Sequence, residues 1–140
     1  MKTGTCLCGA VTVKANVADT LMACHCQQCQ RWTGGGPLYS IPVTEVDISG
    51  SDHVEVYRHS AHGERAFCRR CGTTLWWTMA GRIPTSVTPA LFDDQSHMTL
   101  TDEIFTDRRA PWQEPIPGAS QSTEAEEFAK LDAYLAKEKP

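Results

Sequence analysis

Cysteine is the residue type in this chain that most clearly points to chemistry. The seven cysteines among the 140 residues fall into three clusters. The clusters are Cys6 with Cys8, then Cys24 with Cys26 and Cys29, and finally Cys68 with Cys71. Structural zinc takes four thiolate or imidazole ligands in a closed tetrahedron, whereas catalytic zinc takes three and keeps one position for water or substrate. Seven cysteines therefore divide into four for a closed site and three for an open one.

Two glycines indicate which cysteines share the closed site. Cys8 is followed by Gly9, and Cys71 by Gly72. Glycine at these positions lets the chain turn tightly and point backbone N–H groups at metal-bound sulfurs. The two zinc knuckles that contain them, one around Cys6 and Cys8 and the other around Cys68 and Cys71, are therefore predicted to be halves of one closed site. The third cluster is contiguous enough to surround one ion without help, and it is the predicted open site.

Other interpretations of the same cysteines stay open. Cys68 and Cys71 have the spacing of a thioredoxin-type redox pair, although no βαβ pattern surrounds them. The middle cluster with a fourth cysteine would suit an iron–sulfur cluster. Both sites would be structural if a histidine such as His25 or His62 completed the second tetrahedron. Because His25 lies between two ligands, we expect it to point away from their ion as a satisfied surface histidine.

The segments between the clusters are predicted to be mainly β-strands. Residues 11–15 alternate apolar and polar side chains as a half-buried strand does. Alternation or turn-bounded apolar runs predict further strands at 38–41, 46–48, 53–57, 64–68, 74–78, 83–87 and 103–106. Strands at this spacing predict stacked antiparallel β-sheets, with the Cys68 knuckle in a turn between two of them.

A short helical turn over 30–33 is predicted to follow the open site and to end at three successive glycines, 34–36. These glycines form either a lip over the metal or an ordinary loop. The tryptophans are expected in the core or on sheet faces; they are Trp32, Trp76, Trp77 and Trp112. Trp32 is the best candidate for a pocket wall because it comes three residues after Cys29.

A C-terminal helix is predicted from Thr123 to about Lys137. Thr123 and Glu126 have the spacing of a capping box. An apolar stripe follows on one face, made of Phe128, Leu131 and Leu135. We expect the stripe to pack on its own domain, and a homodimer contact is the less favoured alternative.

Length and composition suggest one domain with an extension. A chain of 140 residues has the commonest size for a single globular domain. Proline and glycine become frequent over 110–118, which predicts an extended segment. We therefore predict a zinc-binding domain over 1–112, with 113–140 as an extended segment and helix packed on or extending it.

Charge and hydropathy exclude several classes of partner. The net charge is -4 at pH 7, the isoelectric point is near 5.7, and lysine and arginine form no basic run. Nucleic acid is therefore not an expected partner. No segment approaches the roughly 18 apolar residues of a membrane span, and the N-terminus lacks the apolar core of a secretory signal. We expect a cytoplasmic protein without a membrane partner.

The arrangement of the cysteines resembles that of the glutathione-dependent formaldehyde-activating family, which also includes centromere protein V. The similar motifs are Cys6-x-Cys8-Gly9-x-Val11, Cys24-His25-Cys26-x-x-Cys29 ahead of Thr33-Gly34, and Phe67-Cys68-x-x-Cys71-Gly72-x-x-Leu75-Trp76. The stretch from Ile104 to Trp112, with Arg109-Ala110-Pro111-Trp112, is similar to the family's C-terminal signature. The resemblance covers roughly residues 3–112, and nothing is carried from the family onto the C-terminal helix.

The resemblance implies a mainly β fold of β-tent type, similar to that of methionine-R-sulfoxide reductase. It also implies two zinc ions per chain. By that likeness Cys6, Cys8, Cys68 and Cys71 hold the structural zinc, and Cys24, Cys26 and Cys29 hold the catalytic zinc. The implied reaction is that of a carbon–sulfur lyase, which joins formaldehyde and glutathione into S-(hydroxymethyl)glutathione.

The chemistry of three thiolates agrees with a thiol substrate. Three negative ligands leave a dication poorly able to polarise water, which disfavours hydroxide generation. The same soft site suits a fourth sulfur, so glutathione would bind as a zinc-bound thiolate and attack the aldehyde carbon. The alternative is a non-catalytic zinc- or thiol-binding carrier or a protein-interaction module, since the uncatalysed addition is itself facile.

Residues outside the clusters are less well defined by sequence. The candidates for a proton donor to the developing alkoxide are His25, Glu64 and Asp93. The arginines nearest the motifs, which could hold the carboxylates of glutathione, are Arg31, Arg69 and Arg70. Each of these arginines is more often an ordinary solvated side chain.

Overall fold

The structure, a computed structural model, describes residues 1–138 and is mainly β within them. The strands are β1 (Lys2–Thr5), β2 (Thr12–Val17), β3 (Thr20–Cys24), β4 (Leu38–Ser49), β5 (Val54–Arg58), β6 (Gly63–Cys68), β7 (Thr74–Met79), β8 (Ser86–Val87), β9 (Thr99–Ile104) and β10 (Ser120–Ser122). The α-helices are α1 (Gln27–Thr33) and α2 (Glu124–Lys137). Short 3-10 helices lie at Ser51–His53, Pro89–Leu91 and Thr106–Arg108.

The chain divides into two compact units. The first unit contains Met1–Leu21 and Ser40–Thr99. The second contains Met22–Tyr39 and the chain from Leu100 onward. Each cysteine cluster lies wholly within one unit, so each candidate site is built from a single unit's elements.

The first unit contains two antiparallel sheets that share one core. In one sheet β2 pairs with β1 and β4, and β8 pairs with β4. In the other, β6 pairs with β5 and β7. One buried cluster contains Val13 and Ile41 from the first sheet and Ala66 and Leu75 from the second. Stacked sheets are held together because apolar side chains from the facing sides of both sheets are buried in one cluster. The sequence predicted such stacked antiparallel sheets.

Alternation of apolar side chains accounts for the β2 strand. Val13 and Ala15 are buried, and Lys14 between them is exposed, because successive side chains point to opposite faces. The predicted strands at 38–41 and 46–48 are one strand, β4, in which Glu45 has a positive φ of 52°. The pairing of β2 with β4 is irregular between Lys14 and Asn16. The irregularity lets one long strand continue past a local break in its alternation.

Several predicted boundaries were wrong. The strand expected over 83–87 is confined to Ser86–Val87, and the one expected over 103–106 is Thr99–Ile104. Helix α1 begins at Gln27 rather than at residue 30, so it includes Cys29. The strands β1, β3 and β10 were not predicted, because each is short and has a weak apolar pattern.

The second unit contains β3, β9 and β10 together with both α-helices. Strand β10 pairs with β9 in parallel, with Gln121 opposite Glu103. Parallel neighbours need a long connection, and the extended segment predicted over 110–118 lies within that connection. This parallel pair is an addition to the antiparallel arrangement that the sequence predicted.

Helix α2 begins at the predicted capping box. The Thr123 hydroxyl accepts a hydrogen bond from the Glu126 N–H at 3.2 Å, and the Glu126 carboxylate accepts one from the Thr123 N–H at 3.2 Å. Phe128 contacts Phe105 edge to face, with ring centroids 5.7 Å apart. No residue of α2 is buried, and Phe128 is half exposed. The helix therefore packs on its own unit through its first turns.

Among the described residues, none of the helices has the length and apolarity of a membrane span.

Candidate metal centres

The first cysteine group brings four sulfur atoms together. The Sγ atoms of Cys6, Cys8, Cys68 and Cys71 all lie within 4.8 Å of one another. The Cys6 and Cys8 sulfurs are 3.7 Å apart, and those of Cys8 and Cys68 are 3.8 Å apart. A zinc tetrahedron with Zn–S bonds of about 2.3 Å requires sulfurs about 3.8 Å apart. The spacing therefore fits one ion held by four thiolates, as the sequence predicted for the closed site.

Two glycine turns position these sulfurs. Gly9 has a φ of 82° and Gly72 a φ of 79°, in the left-handed region that glycine adopts without strain. The Gly9 N–H donates to the Cys6 carbonyl at 3.1 Å, and the Gly72 N–H donates to the Cys68 carbonyl at 2.8 Å. These short loops close each knuckle around its pair of sulfurs.

Thr73 joins the two knuckles. Its hydroxyl accepts a hydrogen bond from the Leu7 N–H at 3.0 Å and lies 3.1 Å from the Cys71 sulfur. The Thr73 hydroxyl lowers the pKa of Cys71 to about 5, so this thiol is ionised at neutral pH. The Ala10 N–H lowers the pKa of Cys8, but burial and hydrogen bonding to the other thiols outweigh it and raise the pKa to about 11. A cation is what would allow all four thiols to ionise together.

The second cysteine group contains three sulfurs. The Sγ atoms of Cys24, Cys26 and Cys29 lie within 4.8 Å of one another, and within residues 1–138 no fourth histidine, cysteine or carboxylate atom joins them. The alternative in which a histidine closes this tetrahedron therefore gains no support. Cys29 is buried, whereas Cys24 and Cys26 are partly exposed. The group can hold a metal ion and leave one position open.

The start of α1 sets the geometry of this group. Cys24 ends β3, Cys26 caps α1, and Cys29 lies in the first turn of the helix. The Cys29 N–H donates to the Cys26 sulfur at 3.3 Å. Hydrogen bonding to the Cys26 and Cys29 thiols, with burial and their charge, raises the pKa of Cys24. Three thiols this close would not all ionise without a cation, which is the donor chemistry of a metal site.

His25 lies between two of these cysteines and is completely buried. Its Nε2 atom is 2.7 Å from the Oε1 atom of Glu103, and its backbone N–H donates to the Ile104 carbonyl at 3.0 Å. The expectation of a surface histidine was wrong. Ala23 and His25 are two residues apart in extended chain, so their side chains point to the same face, and both are buried. This alternation is the sequence signal that could have predicted the burial of His25.

Glu103 was missed by the sequence analysis, yet its carboxylate is 1% exposed and has four partners. They are His25 Nε2 at 2.7 Å, Gln121 Nε2 at 2.8 Å, the Ile116 N–H at 2.9 Å and Arg109 Nη2 at 3.3 Å. Burial raises the pKa of Glu103, but these hydrogen bonds and the charge of Arg109 outweigh it and lower the pKa to about 2. The carboxylate is therefore ionised throughout the physiological range.

The other predicted polar candidates have ordinary surroundings. The Glu64 carboxylate accepts a hydrogen bond from the Gly81 N–H at 3.2 Å, and Asp93 is exposed. Arg69 forms an exposed ion pair with Glu55 at 2.8 Å. Arg31 and Arg70 are exposed as well. The structure assigns none of the five a distinctive role.

The glycines after α1 form a turn beside an exposed indole. Gly34, Gly35 and Gly36 have φ values of 94°, 138° and 71°. A Cβ atom on Gly35 would lie 4.0 Å from the Trp112 ring. Trp112 is 71% exposed, so its expected place in the core or on a sheet face was wrong, whereas Trp76 is buried as expected. An exposed indole beside backbone without side chains is a surface that a ligand can reach.

Comparisons with known proteins agree on one family. The sequence profile described as glutathione-dependent formaldehyde-activating enzyme matches residues 1–108. An uncharacterized lyase of Schizosaccharomyces pombe is 32% identical over 107 residues, which are 74% of this chain and 77% of that protein. Putative glutathione-dependent formaldehyde-activating enzymes of Halomonas elongata and Aspergillus flavus are also 32% identical, over 52% and 79% of this chain. The matched regions span 53% and 55% of those two proteins, about half their length.

The fold has a counterpart among solved structures. A crystal structure of a Rhodobacter sphaeroides protein superimposes with a TM-score of 0.53 at 20% identity. The match covers 86% of this chain and 99% of the other. At this identity the likeness concerns the fold alone.

Proposed function

The chain belongs to the glutathione-dependent formaldehyde-activating enzyme family, and we propose that it is a zinc-dependent carbon–sulfur lyase. The relative from Schizosaccharomyces pombe is named a lyase, which supports a lyase-type role. Its substrates would be glutathione and formaldehyde, and its product S-(hydroxymethyl)glutathione. In the reaction one S–C bond forms, the C=O π bond breaks, and the thiol proton goes to the oxygen. The Halomonas elongata and Aspergillus flavus relatives are named putative glutathione-dependent formaldehyde-activating enzymes, which supports these substrates.

Two zinc ions per chain are part of the proposal. The four-sulfur group of Cys6, Cys8, Cys68 and Cys71 fits a closed structural site, because its sulfur spacing matches a tetrahedron. The group of Cys24, Cys26 and Cys29 would hold the catalytic ion. Zinc held there would lower the pKa of a fourth sulfur ligand and so increase its thiolate fraction at neutral pH.

The convergence of three sulfurs, with no fourth donor among residues 1–138, is the observation that carries this proposal. Cys29 fixes the group from the buried side, while the partial exposure of Cys24 and Cys26 leaves their side of it open to solvent. Free thiols in all seven positions suit a reducing compartment, which supports a cytoplasmic location.

Exchange NMR of mixed glutathione and formaldehyde tests the proposal, because it measures hemithioacetal formation at equilibrium. Zinc-loaded protein should accelerate exchange above the rate in buffer, and Cys26→Ser should remove the acceleration. Serine is a good N-cap residue, so this variant should keep α1. Gln28→Ser, an exposed change on the same helix, is the matched control and should exchange as the wild type does.

The outcomes separate an enzyme from a carrier. Wild-type protein that holds two zinc ions but gives no acceleration would be a thiol-binding carrier and not a lyase. Acceleration that survives Cys26→Ser would place the chemistry elsewhere in the chain. Metal analysis that finds one ion in fully loaded protein would remove the open site from the proposal.

A further inference from the structure

A buried carboxylate connects the three-sulfur group to a segment outside the family match. Glu103 receives one hydrogen bond from His25, which lies between Cys24 and Cys26. It receives two others from Ile116 and Gln121, which follow the residues 1–108 matched by the family profile. We propose that Glu103 is a positioning residue that holds the segment of Cys24, Cys26 and Cys29 in its metal-binding form. Glu103 and residues 113–122, which also bond to it, together form what we call the brace.

The brace holds the segment through His25, at both the backbone and the side chain of this residue. His25 is bound to β9 twice, by its N–H at the Ile104 carbonyl and by its ring at Glu103. A residue fixed at two points leaves its neighbours little freedom, and here the neighbours are Cys24 and Cys26. Their sulfurs are therefore held at a set distance from β9 before any ion binds.

A second connection secures the same segment from α1. The Gln30 side-chain amide donates to the His25 carbonyl and to the Arg108 carbonyl, both at 2.7 Å. Arg108 follows β9 directly in the 3-10 helix, so this bond again joins the cysteine segment to the β9 end of the unit. His25 is thus bonded to β9 directly and to the 3-10 helix after β9 through Gln30.

Residues 113–122 complete the carboxylate's environment. An ionised carboxylate is costly to bury unless its lone pairs are occupied, and two of the four donors to Glu103 come from this segment. Gln121 also accepts a hydrogen bond from Arg109, so it orients the cation that faces Glu103. Parallel pairing of β10 with β9 places Gln121 opposite Glu103. Loss of these donors would leave the carboxylate with two of its four partners and loosen its hold on His25.

This inference rests on the proposed function only in that Cys24, Cys26 and Cys29 hold a metal ion. Its test compares Glu103→Gln and Gln121→Ala with Asp102→Asn. Asp102 neighbours Glu103 on β9 and accepts a hydrogen bond from the Ser120 hydroxyl of β10, but it is exposed, whereas Glu103 is buried. The control therefore perturbs the same strand pair without perturbing the brace.

Zinc release to a chromogenic chelator is the first readout. A fast phase that is absent in Cys26→Ser reports the open site, and a slow phase reports the closed one. Changes to a metal ligand's hydrogen-bonded support cost about 10-fold or more in affinity. We expect the fast phase to accelerate about 10-fold in Glu103→Gln and less in Gln121→Ala. Asp102→Asn should match the wild type, and the thiolate-to-cobalt absorption of Co²⁺-loaded protein should shift only in the two brace variants.

Amide hydrogen exchange of residues 24–30 in metal-free protein is the second readout, and it does not depend on a bound ion. Exchange should be faster in Glu103→Gln than in Asp102→Asn. If Glu103→Gln does not fold, Gln121→Ala, a change of an exposed residue, decides the question by the same measures. Equal release and equal exchange in brace and control variants would overturn the inference. Wild-type protein with only one ion would instead overturn the proposed open site, while the exchange comparison would still test the brace.

Discussion

The two cysteine groups of this chain are held in place by different means. The four-sulfur group depends on local turns, because Gly9 and Gly72 close each knuckle within a few residues of its ligands. The three-sulfur group has no such glycine, and its segment is held by the distant, buried Glu103. Local turns thus shape each half of the four-sulfur group, although the halves are 60 positions apart in the chain, whereas the three-sulfur group is supported from outside its own sulfurs.

The largest expected contrast is in stability. Cys68 is fully buried, and its replacement by serine removes one of four ligands from the proposed structural ion. Because structural zinc contributes folding energy directly, Cys68→Ser should lower the free energy of unfolding by more than about 4 kcal/mol. Cys26→Ser, at the partly exposed group, keeps a good N-cap residue for α1 and should cost less than about 1 kcal/mol. Thermal unfolding followed by circular dichroism measures both, and similar losses would contradict a division into structural and open sites.

The response to acid should distinguish the brace of the open site. The folded pKa of Glu103 is about 2 and its ordinary value is 4.5, so the carboxylate stabilises the fold fully above about pH 4.5 and loses this contribution as pH falls toward 2. The groups facing it are His25, Arg109, Gln121 and the Ile116 N–H. The shift corresponds to about 3 kcal/mol. Urea unfolding at pH 4.5 and at lower pH should show a shallower decline in Glu103→Gln than in the wild type, and parallel declines would contradict this assignment.

The smallest effect should come from Gly72, the glycine of the second knuckle, when it is compared with Gly81 in another turn. Gly72 and Gly81 have φ values of 79° and 75°, and a Cβ atom on either would meet nothing within 4 Å. Alanine at either position should therefore cost about 1–2 kcal/mol through backbone strain alone. Only Gly72→Ala should also speed zinc release from the closed site, since Gly81 lies in a different turn. Equal release rates in a chelator assay would show that the knuckle tolerates the strain.

The sequence predicted those features that depend on neighbouring residues. The three cysteine clusters, the alternation in β2 and the capping box at Thr123 all rest on spacings of a few positions, and the structure has each of them. That the first and third clusters meet was inferred from the glycine that follows each, although Cys8 and Cys68 are 60 positions apart. Family membership was predicted as well, because the three cysteine clusters are a specific pattern.

The features that were missed depend on residues far apart in the chain. His25 and Glu103 are 78 positions apart, and nothing near either residue indicates that they meet. Strand β10 has only three residues, and its parallel pairing with β9 is set by the packing of the unit rather than by its own pattern. Trp112 was expected to be buried because indoles usually are, yet its location after an extended segment leaves it exposed.

The parallel return of β10 to β9 has a consequence for the chain as it is synthesised. All ligands of the four-sulfur group have been translated by residue 71, whereas two donors to Glu103 follow at residues 116 and 121. Since nascent chains fold from the N-terminus onward, we expect the proposed first ion to be acquired before the second can be retained firmly, which requires residue 121 to have emerged from the ribosome. Metal loading would then follow the direction of translation.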